Sequence, residues 1–99
     1  MTNKVFGLAW YREEDYRRIL KIMEDADMLP RTYKRWKRLV ERGERRQEAA
    51  GWTVVRTIIE PESFLVWARE QGLNVGAQAR AEYASLVARG HRLTPSPSP

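Results

Sequence analysis

The chain has 99 residues, no cysteine and 42% hydrophobic residues, which predicts one folded domain with one modest core and excludes a disulfide framework or a cysteine-based zinc site. Its formal net charge is +5, but residues 31–46 hold eight lysines and arginines against two glutamates. That local charge of +6 leaves −1 for the rest of the chain, and such a local field favours an anionic partner.

The first part of the chain predicts a strand and then a helix. Residues 5–11 are almost continuously apolar, which is typical of a short buried strand, and Gly7 indicates a bulge or the close approach of another segment. Acidic residues at 13–15 suit a helix N-terminus, and the apolar spacing that follows predicts a helix ending near Asp27. The residue before Pro30 is biased away from helical geometry, so we expect a turn there.

A strongly basic helix is predicted within residues 30–51, with Thr32 as its N-cap and Gly51 as its end. A mostly apolar stripe predicts the face that packs on a core, at Tyr33, Trp36, Leu39, Val40, Gln47 and Ala50. Cations at steps of four and three residues predict a second stripe on the opposite side. We call it the arginine face, and it consists of Arg35, Arg38, Arg42, Arg45 and Arg46 with Arg31 and Lys34 at its flanks. Lys37 with Glu41, and Glu41 with Arg45, have the spacing of helical ion pairs.

The second half predicts the same order of elements. Residues 52–59 form the clearest strand, with β-branched residues on both sides of Arg56. Pro61 suits the first position of a third helix, and Gly72 suits its end. An alanine-rich fourth helix is predicted over residues 77–89.

The whole pattern predicts an α+β fold in which a two-stranded sheet and four helices follow a pseudo-repeated β-α-α-β-α-α order. Residues 1–90 form the single domain, and residues 91–99 form a disordered Pro/Ser tail. Leu-Val-x-Arg-Gly occurs at residues 39–43 and again 47 residues later, at 86–90, which supports the repeat. The two strands should then lie side by side. Because two strands alone are marginal, a homodimer that adds strands to an open edge is one way to complete the sheet.

Two interpretations of the arginine face stay open. Guanidinium groups pair with phosphate oxygens in two-point geometry, so the stripe predicts contact with the backbone of DNA or RNA and weak sequence preference. Alternatively, the face is only a solvated surface, or it is neutralised by the protein's own Glu24, Asp25 and Asp27. The second repeat lacks most of these cations, since Gln78, Glu82 and Ser85 correspond to three of the arginines, and this favours a specialised role for the first copy.

The remaining residues favour a non-enzymatic binding module with no cofactor, metal or catalytic site. The only histidine, His91, borders the predicted tail, and no glycine-rich phosphate loop is present. The acidic clusters at 13–15 and 24–27 are better explained by helix-dipole and surface roles than by Mg²⁺ binding. Most tryptophans and tyrosines fall on predicted apolar faces, so we expect them in the core and not in a base-stacking platform.

The alternative class of function is a protein-interaction or assembly module. In that interpretation the arginine face recognises an acidic partner protein, or a strand edge forms a homodimer. A salt titration with generic nucleic acid separates these classes. The sequence contains no apolar run of membrane-spanning length and no secretory leader, so we expect a cytoplasmic protein that does not bind membranes.

Three segments resemble short uncharacterised bacterial proteins. They are Ala-Trp-Tyr-Arg-Glu-Glu-Asp-Tyr at residues 9–16, Leu-Pro-Arg-Thr-Tyr at 29–33 followed by Trp36, and the stretch at 51–72. The resemblance spans most of residues 8–85. It implies a bacterial cytoplasmic setting and no particular activity.

Overall fold

The computed structural model describes residues 4–90, which form a two-stranded sheet and four α-helices. The α+β class and the order of elements agree with the sequence prediction. The elements are β1 (Val5–Trp10), α1 (Tyr16–Ile22), α2 (Tyr33–Ala49), β2 (Thr53–Ile58), α3 (Pro61–Glu70) and α4 (Ala77–Ala88). Single 3-10 turns at Glu13–Asp15 and Ala26–Met28 flank α1. The predicted tail at 91–99 lies outside the described residues.

The two strands lie side by side and run parallel. They are the only strand pair within residues 4–90. Their register runs from Val5 opposite Thr53 to Trp10 opposite Ile58, so paired residues are 48 positions apart. This spacing is close to the 47-residue offset of the sequence repeat. Parallel neighbours need a long crossover connection, and α1 and α2 supply it.

One face of the sheet is in close contact with α4. A Cβ atom on Gly7 would lie 2.2 Å from the carbonyl oxygen of Ala84 and 3.0 Å from the Cβ of Ala88. Thr57, on the same face, donates its hydroxyl to the Ala84 carbonyl at 3.4 Å. Gly7 is therefore required because the α4 backbone occupies the space of a side chain, which confirms the predicted close approach.

The opposite face contacts α2 through aromatic side chains. The Trp36 ring lies 5.2 Å from that of Trp10 and 4.7 Å from that of Tyr11, between ring centroids. Around these rings, at the carboxyl ends of the strands, the core brings together Tyr16, Ile19, Ile59, Phe64, Trp67 and Tyr83. The prediction that most aromatic residues form the core is confirmed, and Tyr11 is among the most buried of them at 2% exposure. Burial raises the pKa of the Tyr11 hydroxyl.

The helix boundaries largely follow local chemistry. Thr32 caps α2 by accepting a hydrogen bond from the backbone N–H of Arg35 at 3.3 Å, and Gly51 follows the helix with a φ of +97°. Pro61 is the first residue of α3. After Gly72, at a φ of +68°, the next N–H bonds back into α3, as expected for a Schellman-type end.

One predicted boundary is wrong because a tertiary contact overrides the local pattern. The first helix ends at Ile22 and not near Asp27. The backbone N–H of Glu24 donates to the Val75 carbonyl at 2.8 Å, and the Glu24 carboxylate accepts from the Val75 N–H at 2.9 Å. The Leu-Val-x-Arg-Gly pattern closes α4 at residues 86–90, whereas at residues 39–43 it lies inside α2.

A largely buried ion pair joins α4 to the turn after α1. Arg80, only 9% exposed, donates two hydrogen bonds to the Asp25 carboxylate at 2.7 and 2.8 Å. These bonds lower the pKa of Asp25. The two residues are 55 positions apart in the chain, and nothing in the local sequence pattern predicts their contact.

Candidate nucleic-acid interface

An ion pair joins α2 to the sheet. Arg56 on β2 donates two hydrogen bonds to the Glu44 carboxylate, at 2.7 and 2.8 Å, and its guanidinium carbon lies 3.8 Å from the centroid of the Trp10 ring. The Arg56 hydrogen bonds lower the pKa of Glu44. This contact turns the acidic flank of α2 toward the sheet. The predicted pairs of Glu41 with Lys37 and Arg45 are not formed within residues 4–90, because Glu41 lies 3.9 Å from Arg56 instead.

The arginine face lies on the exposed side of α2. All seven of its residues are exposed, and none of them is within 4.0 Å of a carboxylate oxygen of residues 4–90. Four arginines elsewhere in the fold do form such pairs, in Arg12–Asp15, Arg18–Glu62, Arg56–Glu44 and Arg80–Asp25. The unpaired cations are thus concentrated where the sequence predicted a binding surface.

The acidic residues that were considered as internal partners of the arginine face lie elsewhere. The Glu24 carboxylate accepts a hydrogen bond from the backbone N–H of Val75, and Asp25 binds Arg80. Asp27 is exposed and forms no ion pair with any other described residue. The alternative in which these acids neutralise the arginine face is therefore wrong within the part of the chain that the structure describes.

Neighbouring cations on α2 repel one another. Arg42 has Arg38 four residues before it and Arg45 and Arg46 three and four residues after it, which are the separations that bring side chains together on a helix. At the other end, the first turn of α2 contains no acidic residue, although the helix dipole favours negative charge there. A bound anion would relieve both unfavourable arrangements.

A shallow recess of about 230 Å³ lies within the arginine face, lined by Arg35, Arg38, Leu39 and Arg42. Leu39 was predicted to face the core, but it is 54% exposed, because the side of α2 that packs on the core carries Tyr33, Trp36 and Val40 instead. Ala50, also predicted on the core face, is exposed as well. The recess therefore combines three guanidinium groups with an exposed apolar side chain, which sequence periodicity alone did not predict.

Trp52 is the exception among the four tryptophans. Trp10, Trp36 and Trp67 are 5–7% exposed, whereas Trp52 is 36% exposed. It lies three residues after the end of α2 at Ala49, and its backbone N–H donates to the carbonyl of Gln47 at 3.0 Å. Its place beside the Gly51 turn was the one sequence signal that distinguished it from the core tryptophans.

The structure shows no candidate metal site. Within residues 4–90, no group of three or more histidines, cysteines and carboxylates is arranged to hold a metal ion. None of the helices in the same range has both the length and the apolar character needed to cross a membrane.

Comparison with protein-family models, curated proteins and solved structures finds no match. The argument about function therefore rests on the geometry of this chain.

Proposed function

We propose that this protein is a small non-enzymatic module that binds the sugar-phosphate backbone of nucleic acid through the arginine face. The observation that supports the proposal is a set of seven exposed cations that have no carboxylate partner within residues 4–90, on a helix whose Glu41 and Glu44 face the sheet. Guanidinium groups form strong two-point hydrogen bonds with phosphate oxygens. We place this activity in the cytoplasm, since a cysteine-free chain needs no oxidising compartment.

The length of the arginine face suits several phosphates at once. From Lys34 to Arg46 the helix rises about 18 Å, at about 1.5 Å per residue. Each strand of a duplex presents one phosphate per roughly 3.4 Å of axis, so about five phosphates lie within this length. The face contains no asparagine or glutamine that could read adenine, and we expect its arginines to contact phosphates and not guanine edges, so that binding shows little sequence preference.

Binding should fall steeply with salt, because each neutralised phosphate releases counterions. With about five phosphate contacts, the slope of log affinity against log salt should be about −3.5 for single strands and about −4.5 for duplex DNA. A fourfold increase in salt should then weaken binding by about a hundredfold or more. Fluorescence anisotropy with labelled DNA and RNA oligonucleotides of mixed sequence measures this slope. An affinity that does not change with salt, or no binding at about 50 mM salt, would overturn the proposal.

A second function, recognition of an acidic partner protein, is favoured by one specific observation. Leu39 is exposed inside the recess between Arg35, Arg38 and Arg42, and a phosphate backbone makes little use of an apolar side chain. An acidic helix with an apolar residue would fill this recess. Replacing Leu39 by Ser separates the two functions, since it should weaken a protein complex and leave the salt slope for nucleic acid unchanged.

A homodimer is a further assembly proposal and depends on the sheet edge. Val55 and Ile58 on β2 are 36% and 43% exposed, and β2 pairs only with β1 among the described residues. Pairing of two copies along β2 would produce a longer sheet. Sedimentation equilibrium distinguishes a monomer from such a dimer.

A further inference from the structure

We infer that this module prefers single-stranded nucleic acid to a duplex, because one base of a single strand stacks on Trp52 beyond the carboxyl end of α2. This inference rests on the proposed function, because it concerns the same backbone-binding surface. Its basis is the exposure of Trp52 and the position of its backbone at the end of α2 where the arginine face ends.

The position of Trp52 continues the arginine face. The backbone N–H of Trp52 bonds to the carbonyl of Gln47 at 3.0 Å, and Gln47 directly follows Arg45 and Arg46 in α2. The backbone of Trp52 therefore lies within about one helical turn of the backbone of Arg45 and Arg46, which form no ion pair within residues 4–90. A chain of nucleotides whose phosphates follow the helix would reach the indole next.

Two side chains, those of Phe6 and Lys4, contact the Trp52 ring. Phe6 meets the Trp52 ring edge to face, with the ring centroids 6.1 Å apart and the planes at 67°, and this contact holds the indole in place. The ammonium group of Lys4 lies over the ring at 5.8 Å, near the outer limit of a cation–π contact. Lys4 is itself exposed. An incoming base can displace this ammonium group, which is then free to pair with a phosphate.

Stacking on Trp52 discriminates between single and double strands. Bases inside a duplex already stack on their neighbours and pair with the other strand, so they offer no free face to a protein side chain. An unpaired base can stack on a protein ring without first breaking base pairs or leaving a duplex stack. Stacking on an aromatic ring also tolerates any base. This tolerance agrees with the weak sequence preference expected of an arginine face that contacts phosphates.

The test compares two substitutions of Trp52 that differ in aromatic character. Trp52→Leu removes the aromatic surface but retains an apolar contact for Phe6, and it should weaken binding to a single-stranded oligonucleotide about tenfold. Binding to a hairpin duplex of the same length should change less than twofold. Trp52→Phe retains an aromatic ring and should bind the single strand within about threefold of the unmodified chain. Circular dichroism checks that both variants are folded.

Fluorescence gives a readout that a change in stability would not produce. A bound single strand should quench part of the tryptophan emission, and the quenching should be lost in Trp52→Phe although this variant still binds. Unchanged single-strand affinity in Trp52→Leu, or equal losses for single strand and duplex, would overturn the stacking inference while the arginine face still bound both. If the unmodified chain bound neither nucleic acid, the proposed function itself would fail.

Discussion

Reversing the charges of Arg35 and Arg42 together should weaken binding to DNA and RNA by more than a hundredfold at about 50 mM salt. The double variant Arg35→Glu, Arg42→Glu removes two of roughly five phosphate contacts and places two carboxylates against the remaining backbone. Both arginines line the recess in the arginine face. The loss should be equally large for single strands and duplexes, because both substitutions act on backbone contacts.

The double variant should remain folded. Neither arginine is buried or paired with a carboxylate of residues 4–90, so no packing is lost. A glutamate at position 42 would lie beside Arg38, Arg45 and Arg46, where it replaces repulsion by attraction worth a few tenths of a kcal/mol per pair. We therefore expect an unchanged or slightly higher melting temperature, measured by circular dichroism.

A matched control has the same change in net charge elsewhere on the surface. Arg17 on α1 and Arg69 on α3 are exposed and form no ion pair with other described residues. The variant Arg17→Glu, Arg69→Glu should retain affinity within about fivefold, since only the long-range field has changed. Equal losses in the two double variants would mean that net charge, and not the arginine face, determines binding.

Adding one methyl group at Gly7 should destabilise the fold by about 3 kcal/mol or more. In Gly7→Ala the new Cβ would lie 2.2 Å from the Ala84 carbonyl oxygen and 2.6 Å from its carbon, and a backbone cannot yield as a flexible side chain can. The strain would separate α4 from the sheet and disturb the hydrogen bond from Thr57. For a domain of this size, thermal denaturation should show a fall in melting temperature of about 12 °C or more.

Gly43 supplies the matched control for this substitution. A Cβ on Gly43 would meet no other atom within 4 Å, and the residue lies inside α2. Gly43→Ala should therefore stabilise the protein by up to about 1 kcal/mol, through the higher helix propensity of alanine. A Gly7→Ala variant as stable as the unmodified chain would contradict the close packing of α4 on β1.

The features that could be predicted from the sequence are those determined by local chemistry. Thr32, Gly51, Pro61 and Gly72 each act within a few residues of their own position, and the helix ends that they predicted are confirmed. The arginine face could likewise be placed on one side of α2, because helical periodicity depends only on residue spacing. Whether that face binds nucleic acid stays a prediction.

The features that could not be predicted depend on contacts between distant segments. The pairing of Asp25 with Arg80 joins residues 55 positions apart. The neighbouring Glu24 bonds to the backbone of Val75, beyond the early end of α1 at Ile22. Leu39 has the spacing of a core residue, yet it is exposed because the side of α2 that meets the protein carries Trp36, Val40 and Glu44. Arg56 could be seen to interrupt an apolar strand, but its partner Glu44 could not be inferred.

The most direct test of the central claim is to map where nucleic acid contacts the protein. In a titration of isotopically labelled protein with a short single-stranded oligonucleotide, backbone amide resonances report the position of the ligand. The account predicts that the largest shifts fall within residues 31–52, along the arginine face and at Trp52, and that resonances of α1 and α3 change little. Saturable shifts centred on α3 and α4, with α2 unaffected, would contradict it.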